Sequence, residues 1–228
     1  MSLLPSNPRY ERKFVVDGFS LSEVLAVVRR HPAGFRETYP PRSVDNLYLD
    51  TLEYRDYHDH VNGVSHRTKT RIRWYGPWSG RIVTPTLESK LKQGLVSAKV
   101  SHGLPPLSMN GHVARADLEA AFDGAKLPEL TRLALRYLQP SLLNRYRRHY
   151  FQSADGRFRL TVDSDLQFAP ARQVQGTGIC FSPPATPVVV ELKYGLDQAE
   201  RTASVTNSMP FRLARCSKYV LGVTALGV

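Results

Sequence analysis

Three segments of the sequence place a glutamate two residues before a lysine, at positions 11–13, 88–90 and 191–193. In a β-strand, residues two apart lie on the same face, so each glutamate would stand beside its lysine. A lysine binds phosphate as a point charge, and a carboxylate among such cations is useful if it holds a divalent metal together with phosphate oxygens. The pattern therefore predicts a site for a phosphorylated ligand and a hard metal ion.

Basic residues alternate with apolar or hydroxyl residues in two further segments. Positions 67–73 carry a cation at every second residue, and positions 157–163 carry Arg, Arg, Thr and Asp in the same alternation. Antiparallel sheets often have one apolar and one solvated face, so each segment alone fits an ordinary surface strand. The polar positions of the whole set are mainly Arg and Lys, however. A sheet closed on itself would turn such faces into a polar-lined interior that concentrates a polyanion.

The overall charge supports a polyanionic partner. The 228 residues include 31 Lys and Arg against 20 acidic residues, a net charge of +11, which favours nucleic acid, phosphorylated metabolites, polyphosphate or an anionic membrane. No apolar run approaches the roughly 20 residues that span a bilayer, so no membrane segment is expected. Two cysteines, Cys180 and Cys216, do not suggest a disulfide framework, and a cytoplasmic location is expected. The length predicts a single domain over 1–228.

Capping and turn residues divide the chain into short elements. Ser20 and Glu23 form a capping-box pattern that predicts a helix ending near His31. Other predicted helices cover 118–122, 130–138 and 197–207, and predicted strands cover 45–50, 67–75, 87–92, 95–100, 143–152, 157–163 and 187–194. The residues 58–60, His-Asp-His, are assigned to a surface loop rather than to a metal site. The sequence predicts an α+β fold, mostly antiparallel β with peripheral helices.

Taken in order, the charged segments resemble those of the VTC domain, the polyphosphate polymerase branch of the CYTH-like triphosphate tunnel metalloenzymes. The order and spacing of the segments together carry this resemblance. The matching segments are 9–14 (RYERKF), 47–51 (LYLDT), 67–76 (RTKTRIRWYG), 87–90 (LESK) with Lys99, 146–148 (YRR), 159–163 (RLTVD), 190–194 (VELKY) and 217–219 (SKY).

The resemblance implies a fold, an activity and a set of site residues. The fold is an antiparallel eight-stranded β tunnel, a closed barrel, and the activity is transfer of the ATP γ-phosphate to a growing polyphosphate chain with Mn²⁺ or Mg²⁺. The implied phosphate-binding cations are Lys13, Lys69, Arg71, Arg73, Lys90, Lys99, Arg148, Arg159, Lys193 and Lys218. Those implied to be catalytic are Lys13, Arg71, Arg73, Lys90, Arg159 and Lys218. Glu191 is the leading metal ligand, with Glu88 and Glu11 as further candidates.

One departure from the family pattern bears on the reaction. Triphosphatases and cyclases of this group begin with Glu-x-Glu-x-Lys, whereas here Arg9 stands in the place of the first glutamate. The change removes a carboxylate and adds a cation, which favours a binder of a phosphate chain over a carboxylate-rich site for two metals.

Two alternatives stay open at this point. With water as acceptor, the same site would be an inorganic or nucleoside triphosphatase. The chain could also be a non-catalytic module that binds polyphosphate or nucleic acid. Specific nucleic-acid binding is not expected, because the sequence has no RNP-like aromatic motif, zinc-ligand spacing or helix-turn-helix pattern.

Overall fold

The chain folds mainly into β-strands. The computed structural model describes residues 9–93, 96–109, 114–171, 180–182 and 187–227. Its strands are β1 (Arg9–Val16), β2 (Arg36–Asp50), β3 (His66–Tyr75), β4 (Gly80–Ile82), β5 (Thr86–Gln93), β6 (Val96–Gly103), β7 (Leu107–Met109), β8 (Gln139–Gln152), β9 (Phe158–Pro170) and β10 (Val188–Gly195). Position 95 of one predicted strand lies outside the described residues.

Short helices connect the strands. They are α1 (Leu21–Arg30), α2 (Arg55–Val61), α3 (Arg115–Asp123), α4 (Glu129–Leu135), α5 (Thr202–Asn207) and α6 (Lys218–Leu226), with a 3-10 turn at Leu196–Gln198. None of the helices in the described ranges has the length and apolar character needed to cross a bilayer.

Hydrogen bonds order eight strands as β1-β10-β9-β8-β2-β3-β5-β6, and β4 pairs separately with β7. The pairs β1 with β10, β10 with β9, β2 with β3, β3 with β5 and β5 with β6 are antiparallel. The hairpin between β8 and β9 turns at Gly156, whose φ of 73° is the left-handed conformation that glycine adopts at little cost. The prediction of an antiparallel α+β fold is confirmed. Closure of the sheet into a barrel does not follow from this order and stays a prediction.

The chain divides into two compact units. The first unit comprises Met1–Ser43, Tyr146–Leu166 and Pro184–Ser217, and the second comprises Val44–Arg145, Gln167–Pro183 and Lys218–Val228. Each unit has its own hydrophobic cluster. A single domain over 1–228 stays a prediction.

The first unit packs α1 against the apolar faces of its strands. Phe14 of β1 pairs with Val190 of β10, and both are buried with Val24 and Val28 of α1. The predicted capping box is present at the start of α1: the Ser20 Oγ accepts a hydrogen bond from the Glu23 N–H at 3.3 Å, and the Glu23 carboxylate accepts one from the Ser20 N–H at 2.7 Å. The predicted end of this helix at His31 is also confirmed.

In the second unit, apolar residues of β2, β3 and β5 are buried, and they alternate along each strand with polar and charged residues. Leu47, Ile72 and Leu87 lie opposite one another in the registers of β2, β3 and β5, and each is at most 1% exposed. Trp74 is equally buried, and its indole N–H donates to the Pro77 carbonyl at 3.2 Å. The residues between them along each strand must therefore face the other side of the sheet.

The loop predicted over 58–60 is wrong, because these residues lie in α2. The first N–H groups of this helix donate hydrogen bonds to the side chains of Asp50, which ends β2, and Thr51, which follows it. The Asp50 carboxylate accepts from the N–H groups of Asp56 and Tyr57 at 2.9 and 3.1 Å, and the Thr51 hydroxyl accepts from the Arg55 N–H at 3.0 Å. The predicted helix 197–207 is likewise shorter, since regular α-helix begins only at α5.

Gly222 of α6 tests the packing of the second unit. An alanine Cβ at this position would lie 2.5 Å from both Leu142 Cδ2 and Phe168 Cδ1. A helical Gly→Ala change usually stabilises by about 1 kcal/mol, but here overpacking is expected to lower the free energy of unfolding by about 1–3 kcal/mol. Urea unfolding followed by circular dichroism measures this. Ala225→Gly, at an exposed position of the same helix, gives the propensity baseline. A Gly222→Ala protein more stable than the parent would contradict the packing described.

Candidate functional site

The polar face of the second unit gathers cations from three neighbouring strands. Arg71 pairs with Glu88, Lys69 with Lys90, and Arg73 with Asn46 in the antiparallel registers. On the next strand, Lys99 lies opposite Lys90. Half of the predicted phosphate-binding cations therefore share this face: Lys69, Arg71, Arg73, Lys90 and Lys99.

Glu88 binds the cations that surround it. Its Oε2 accepts hydrogen bonds from Nε and Nη2 of Arg71 at 2.9 and 2.7 Å, its Oε1 accepts one from the Lys99 ammonium, and Nη1 of Arg73 lies 3.7 Å from Oε2. Burial alone would raise the pKa of Glu88, but the charges of Arg71 and Arg73 and the bond from Lys99 outweigh it and lower the pKa to about 2. The carboxylate is thus ionised and acts as a counter-ion for three cations.

Aromatic and amide side chains support the two arginines. The Arg71 guanidinium donates to the Tyr48 hydroxyl at 3.3 Å, and the Tyr48 ring stacks on Tyr219 with centroids 4.9 Å apart. The Arg73 Nε donates to Asn46 Oδ1 at 2.9 Å. The sequence analysis assigned no role to Asn46 or Tyr219. Asn46 lies two residues before Tyr48 on β2, so both side chains face the same side of the sheet. This spacing is the signal that could have identified Asn46.

Two predicted lysines of the second unit, Lys218 and Lys69, are wholly or partly buried. Lys218 begins α6 and is buried, directly before Tyr219, whose hydroxyl donates to the buried Asp50 carboxylate. Lys69 is partly buried, and its ammonium lies 3.3 Å from Nδ1 of His60.

The polar face of the first unit mixes cations with carboxylates. Lys13 pairs with Glu191, and Glu11 with Lys193, across β1 and β10, while Lys193 pairs with the exposed Arg159 of β9. The Lys13 ammonium lies 3.0 Å from Glu11 Oε1 and 3.5 Å from Glu191 Oε1, and it donates to the Cys216 carbonyl at 3.1 Å. Two carboxylates therefore converge on a single cation position.

Arg148, in the same unit, is buried and bound by the carboxylate of Asp163. Its Nε and Nη2 bind the two carboxylate oxygens of Asp163 at 2.6 and 2.7 Å, and Nη2 lies 3.7 Å from Glu191 Oε2. Burial would lower the pKa of Arg148, but Asp163, Tyr146 and Glu191 raise it well above its ordinary value, so the guanidinium stays charged. The sequence pattern included Asp163 only as part of a matching strand and gave it no role.

The carboxylates of the first unit fit a divalent metal better than Glu88 does. Mg²⁺ is usually bound by one or two carboxylates and completes its coordination with water and substrate phosphates. Glu11 and Glu191 provide two carboxylates that share Lys13, and the cations around Glu191 lie 3.5 to 3.7 Å from its oxygens. Both oxygens of Glu88, in contrast, accept hydrogen bonds from Arg71 and Lys99. In the described part of the chain, no three acidic, histidine or cysteine side chains are grouped closely enough to hold a metal by themselves.

Comparison with models of known protein families shows to which family the chain belongs. The VTC domain family matches residues 8–227. The chain belongs to the VTC domain family. No curated protein matches it.

Solved structures share the fold of this VTC domain. A candidate adenylate cyclase from Vibrio parahaemolyticus is 12% identical, with a TM-score of 0.52 over 95% of this chain and 99% of that one. An adenylyl cyclase candidate from Hippeastrum, described as having a dominant triphosphatase activity, is 13% identical, with a TM-score of 0.52 over 96% of each chain. A protein from Pyrococcus horikoshii is 14% identical, with the same TM-score over 95% and 99%. These similarities establish the fold.

The low pKa of Glu88 predicts a pH dependence of stability. The folded state binds a proton at Glu88 less readily than the unfolded state, because its pKa is lowered from 4.5 to about 2. The stabilisation is therefore present above about pH 5 and is lost as the pH falls towards 2. In Glu88→Gln, the free energy of unfolding should fall less over this range than in the parent protein, measured by urea unfolding at each pH. Glu119→Gln, which removes an exposed ion pair with Arg115, should keep the parental slope. Equal slopes for Glu88→Gln and the parent would contradict the ion-pair assignment.

Proposed function

We propose that this VTC domain is a metal-dependent polyphosphate polymerase, which transfers the γ-phosphate of ATP to inorganic polyphosphate. The observation that carries the proposal is the set of five cations on one face of the sheet in the second unit, three of which share the buried counter-ion Glu88. Membership of the VTC family supports the polyphosphate substrate. The proposal includes the closed eight-stranded tunnel that the family resemblance implies, and a cytoplasmic location stays a prediction.

The reaction requires charge neutralisation more than covalent help from the protein. A terminal oxygen of polyphosphate attacks the γ-phosphorus of ATP, the bond from that phosphorus to the β,γ-bridging oxygen breaks, and ADP leaves with the bond's electron pair. The attacking oxygen is already ionised, so no general base is needed. Both reactants are polyanions, and positioning them against their mutual repulsion is the main contribution a protein makes to phosphoryl transfer.

The cations divide this work by their chemistry. Arg71 and Arg73 offer planar guanidinium groups that suit two phosphate oxygens at once. The lysines provide point charges along the chain, and Arg159 is an exposed cation beside Lys193. The proposed lysines are Lys13, Lys69, Lys90, Lys99, Lys193 and Lys218. Arg148, bound by both carboxylate oxygens of Asp163, contributes charge from a buried position.

Glu191 and Glu11 would hold the metal. Glu88 is the weaker candidate because Arg71 and Lys99 hydrogen-bond both of its oxygens, whereas the cations around Glu191 lie 3.5 to 3.7 Å from its oxygens. When bound, Mn²⁺ or Mg²⁺ would neutralise charge on the phosphate oxygens. The Lys13 ammonium lies 3.0 Å from Glu11 and 3.5 Å from Glu191. A metal held by Glu11 and Glu191 would therefore compete with the Lys13 ammonium for these carboxylates.

A triphosphatase is the second candidate function. The specific observation in its favour is the fold shared with the Hippeastrum protein, whose described activity is dominantly that of a triphosphatase. In this chain the same cations would hold a triphosphate while water, rather than a phosphate chain, attacked the terminal phosphorus. The two functions therefore differ in the acceptor and not in the cation set.

Product analysis separates the two candidates. The protein is incubated with ATP and either Mn²⁺ or Mg²⁺, and the products are resolved on a gel that displays polyphosphate ladders. A ladder with release of ADP supports the polymerase, and free phosphate without a ladder supports the triphosphatase. Tight binding of polyphosphate without turnover would leave only a non-catalytic binding module.

Replacing Glu191 by glutamine tests the metal assignment. Glu191→Gln removes the charged ligand but keeps the size of the side chain, so metal-dependent turnover of ATP should be lost. Binding of polyphosphate without metal should persist, because Lys13, Arg148 and Lys193 keep their charges. Isothermal titration measures binding, and ADP release measures turnover. Glu200→Gln, at an exposed acid of the same unit, is the control. Full turnover in Glu191→Gln would show that Glu191 is not a metal ligand.

Replacing Arg71 by glutamine tests the cation cluster of the second unit. A hydrogen bond between ionised groups contributes about 1.5–3 kcal/mol, so Arg71→Gln should weaken binding of tripolyphosphate by about tenfold or more. Arg81→Gln, which removes an exposed cation of β4 at the same cost in net charge, should change binding by less than about twofold if contact rather than overall charge matters. Equal weakening by both variants would mean that only the overall charge attracts the ligand.

A further inference from the structure

A chain of two buried amides in the second unit leads from a backbone carbonyl to Arg73. The Asn144 Nδ2 donates to the Gln167 carbonyl at 3.3 Å. The Asn46 Nδ2 donates to Asn144 Oδ1 at 3.2 Å and to its backbone carbonyl at 3.4 Å, and Asn46 Oδ1 accepts from Arg73 Nε at 2.9 Å. Both amides are at most 1% exposed.

The two ends of the chain fix the orientation of both amides. The guanidinium of Arg73 can only donate, and the Gln167 carbonyl can only accept. Each asparagine must therefore accept a hydrogen bond on the side towards Arg73 and donate one on the side towards Gln167. Turning either amide over would face two donors or two acceptors against each other, which costs about 1–3 kcal/mol for each buried group left unsatisfied. The direction of the Arg73 Nε–H bond is thus determined by the strand pairing behind it.

The amide chain differs in charge from the carboxylates that bind two other predicted arginines, Arg71 and Arg148. Arg71 is bound by the Glu88 carboxylate at 2.9 and 2.7 Å, whereas Arg73 approaches the same carboxylate only to 3.7 Å and donates a hydrogen bond to Asn46 at 2.9 Å. In the other unit, Arg148 is bound by the Asp163 carboxylate. A carboxylate orients a guanidinium but also adds a negative charge that repels phosphate. An amide orients it without adding charge. Two buried amides are otherwise an unneeded feature of a sheet, since apolar side chains of similar size satisfy such positions without any hydrogen bond.

We propose that Asn46 and Asn144 are positioning residues that orient the guanidinium of Arg73 for phosphate. Because the two amides are neutral, they add no negative charge next to Arg73. The inference rests on the proposed function, because it assigns Arg73 to the bound phosphate chain. Asn46 acts directly on Arg73, and Asn144 acts through Asn46. Neither asparagine needs to touch the ligand.

A double-mutant cycle with tripolyphosphate tests the inference. Asn46→Ala is expected to weaken tripolyphosphate binding about tenfold by isothermal titration, because a guanidinium without its hydrogen-bonded support loses its orientation. In the Arg73→Gln background, the same Asn46→Ala change is expected to cost less than about twofold, since its effect passes through Arg73. A structural role for Asn46 unrelated to Arg73 would give the same loss in both backgrounds, and that result would overturn the inference.

Three further variants test the effect of a charge at position 46, the indirect role of Asn144, and the effect of removing an amide elsewhere in the chain. Asn46→Asp keeps the size and adds a charge, so it should weaken binding at least as much as Asn46→Ala, and parental binding in Asn46→Asp would overturn the claim about charge. Asn144→Ala leaves Asn46 in place and is tested in the same cycle, which keeps the test available if Asn46→Ala does not fold by circular dichroism. Asn207→Ala, at an exposed amide, should bind as the parent does.

The outcomes distinguish the inference from the function on which it rests. If the parent protein binds neither tripolyphosphate nor polyphosphate, the proposed function fails and the inference with it. If the parent binds and the losses from Asn46→Ala and Arg73→Gln simply add, the positioning role is wrong, whereas the proposed function is not contradicted and is decided by the ATP turnover assay.

Discussion

Repulsion between cations on one strand face is the constraint that the polar side of this protein must meet. Two like charges 4 Å apart repel by about 4 kcal/mol at the effective dielectric of a protein surface, and Arg71, Arg73 and Lys99 all converge on one carboxylate, Glu88. A buried acid is costly unless it is paired, so the cations and Glu88 depend on one another. The lowered pKa of Glu88 is the direct sign that the attraction exceeds the cost of burial.

The first unit meets the same constraint in two ways. Arg148 and Asp163 form a buried bidentate pair whose hydrogen bonds are satisfied within the protein, which suits a fixed element of the site. Lys13 lies 3.0 Å from Glu11 and 3.5 Å from Glu191, and the side chains of Lys13 and Glu11 are more exposed than those of Arg148 and Asp163. This arrangement suits groups that exchange partners when a ligand arrives. Ligand and metal binding are therefore expected at Lys13, Glu11 and Glu191, with Arg148 as their fixed neighbour.

Local features of the sequence predicted those elements whose determinants are also local. The capping box of α1 and the alternation along β3 depend on residues within a few positions of each other, and both are confirmed. The helix α2 was missed because its N-terminal bonds come from Asp50 and Thr51 at the end of a strand. The strand β2 extends to Arg36, through Pro40 and Pro41, although proline removes a hydrogen-bond donor and usually argues against a strand.

The sequence by itself determined which residues carry charge, that they alternate along strands, and which family they resemble. Those properties depend on residue type and on a spacing of two. Only the tertiary structure decided what holds three of the predicted arginines: Glu88 for Arg71, Asp163 for Arg148, and, for Arg73, the amide of Asn46 supported by Asn144 together with a longer ion pair to Glu88. Asn46 and Asn144 lie 98 positions apart in the chain, and no local pattern links them. Their contact exists because strands distant in sequence lie side by side, and that pairing gives each cation its orientation.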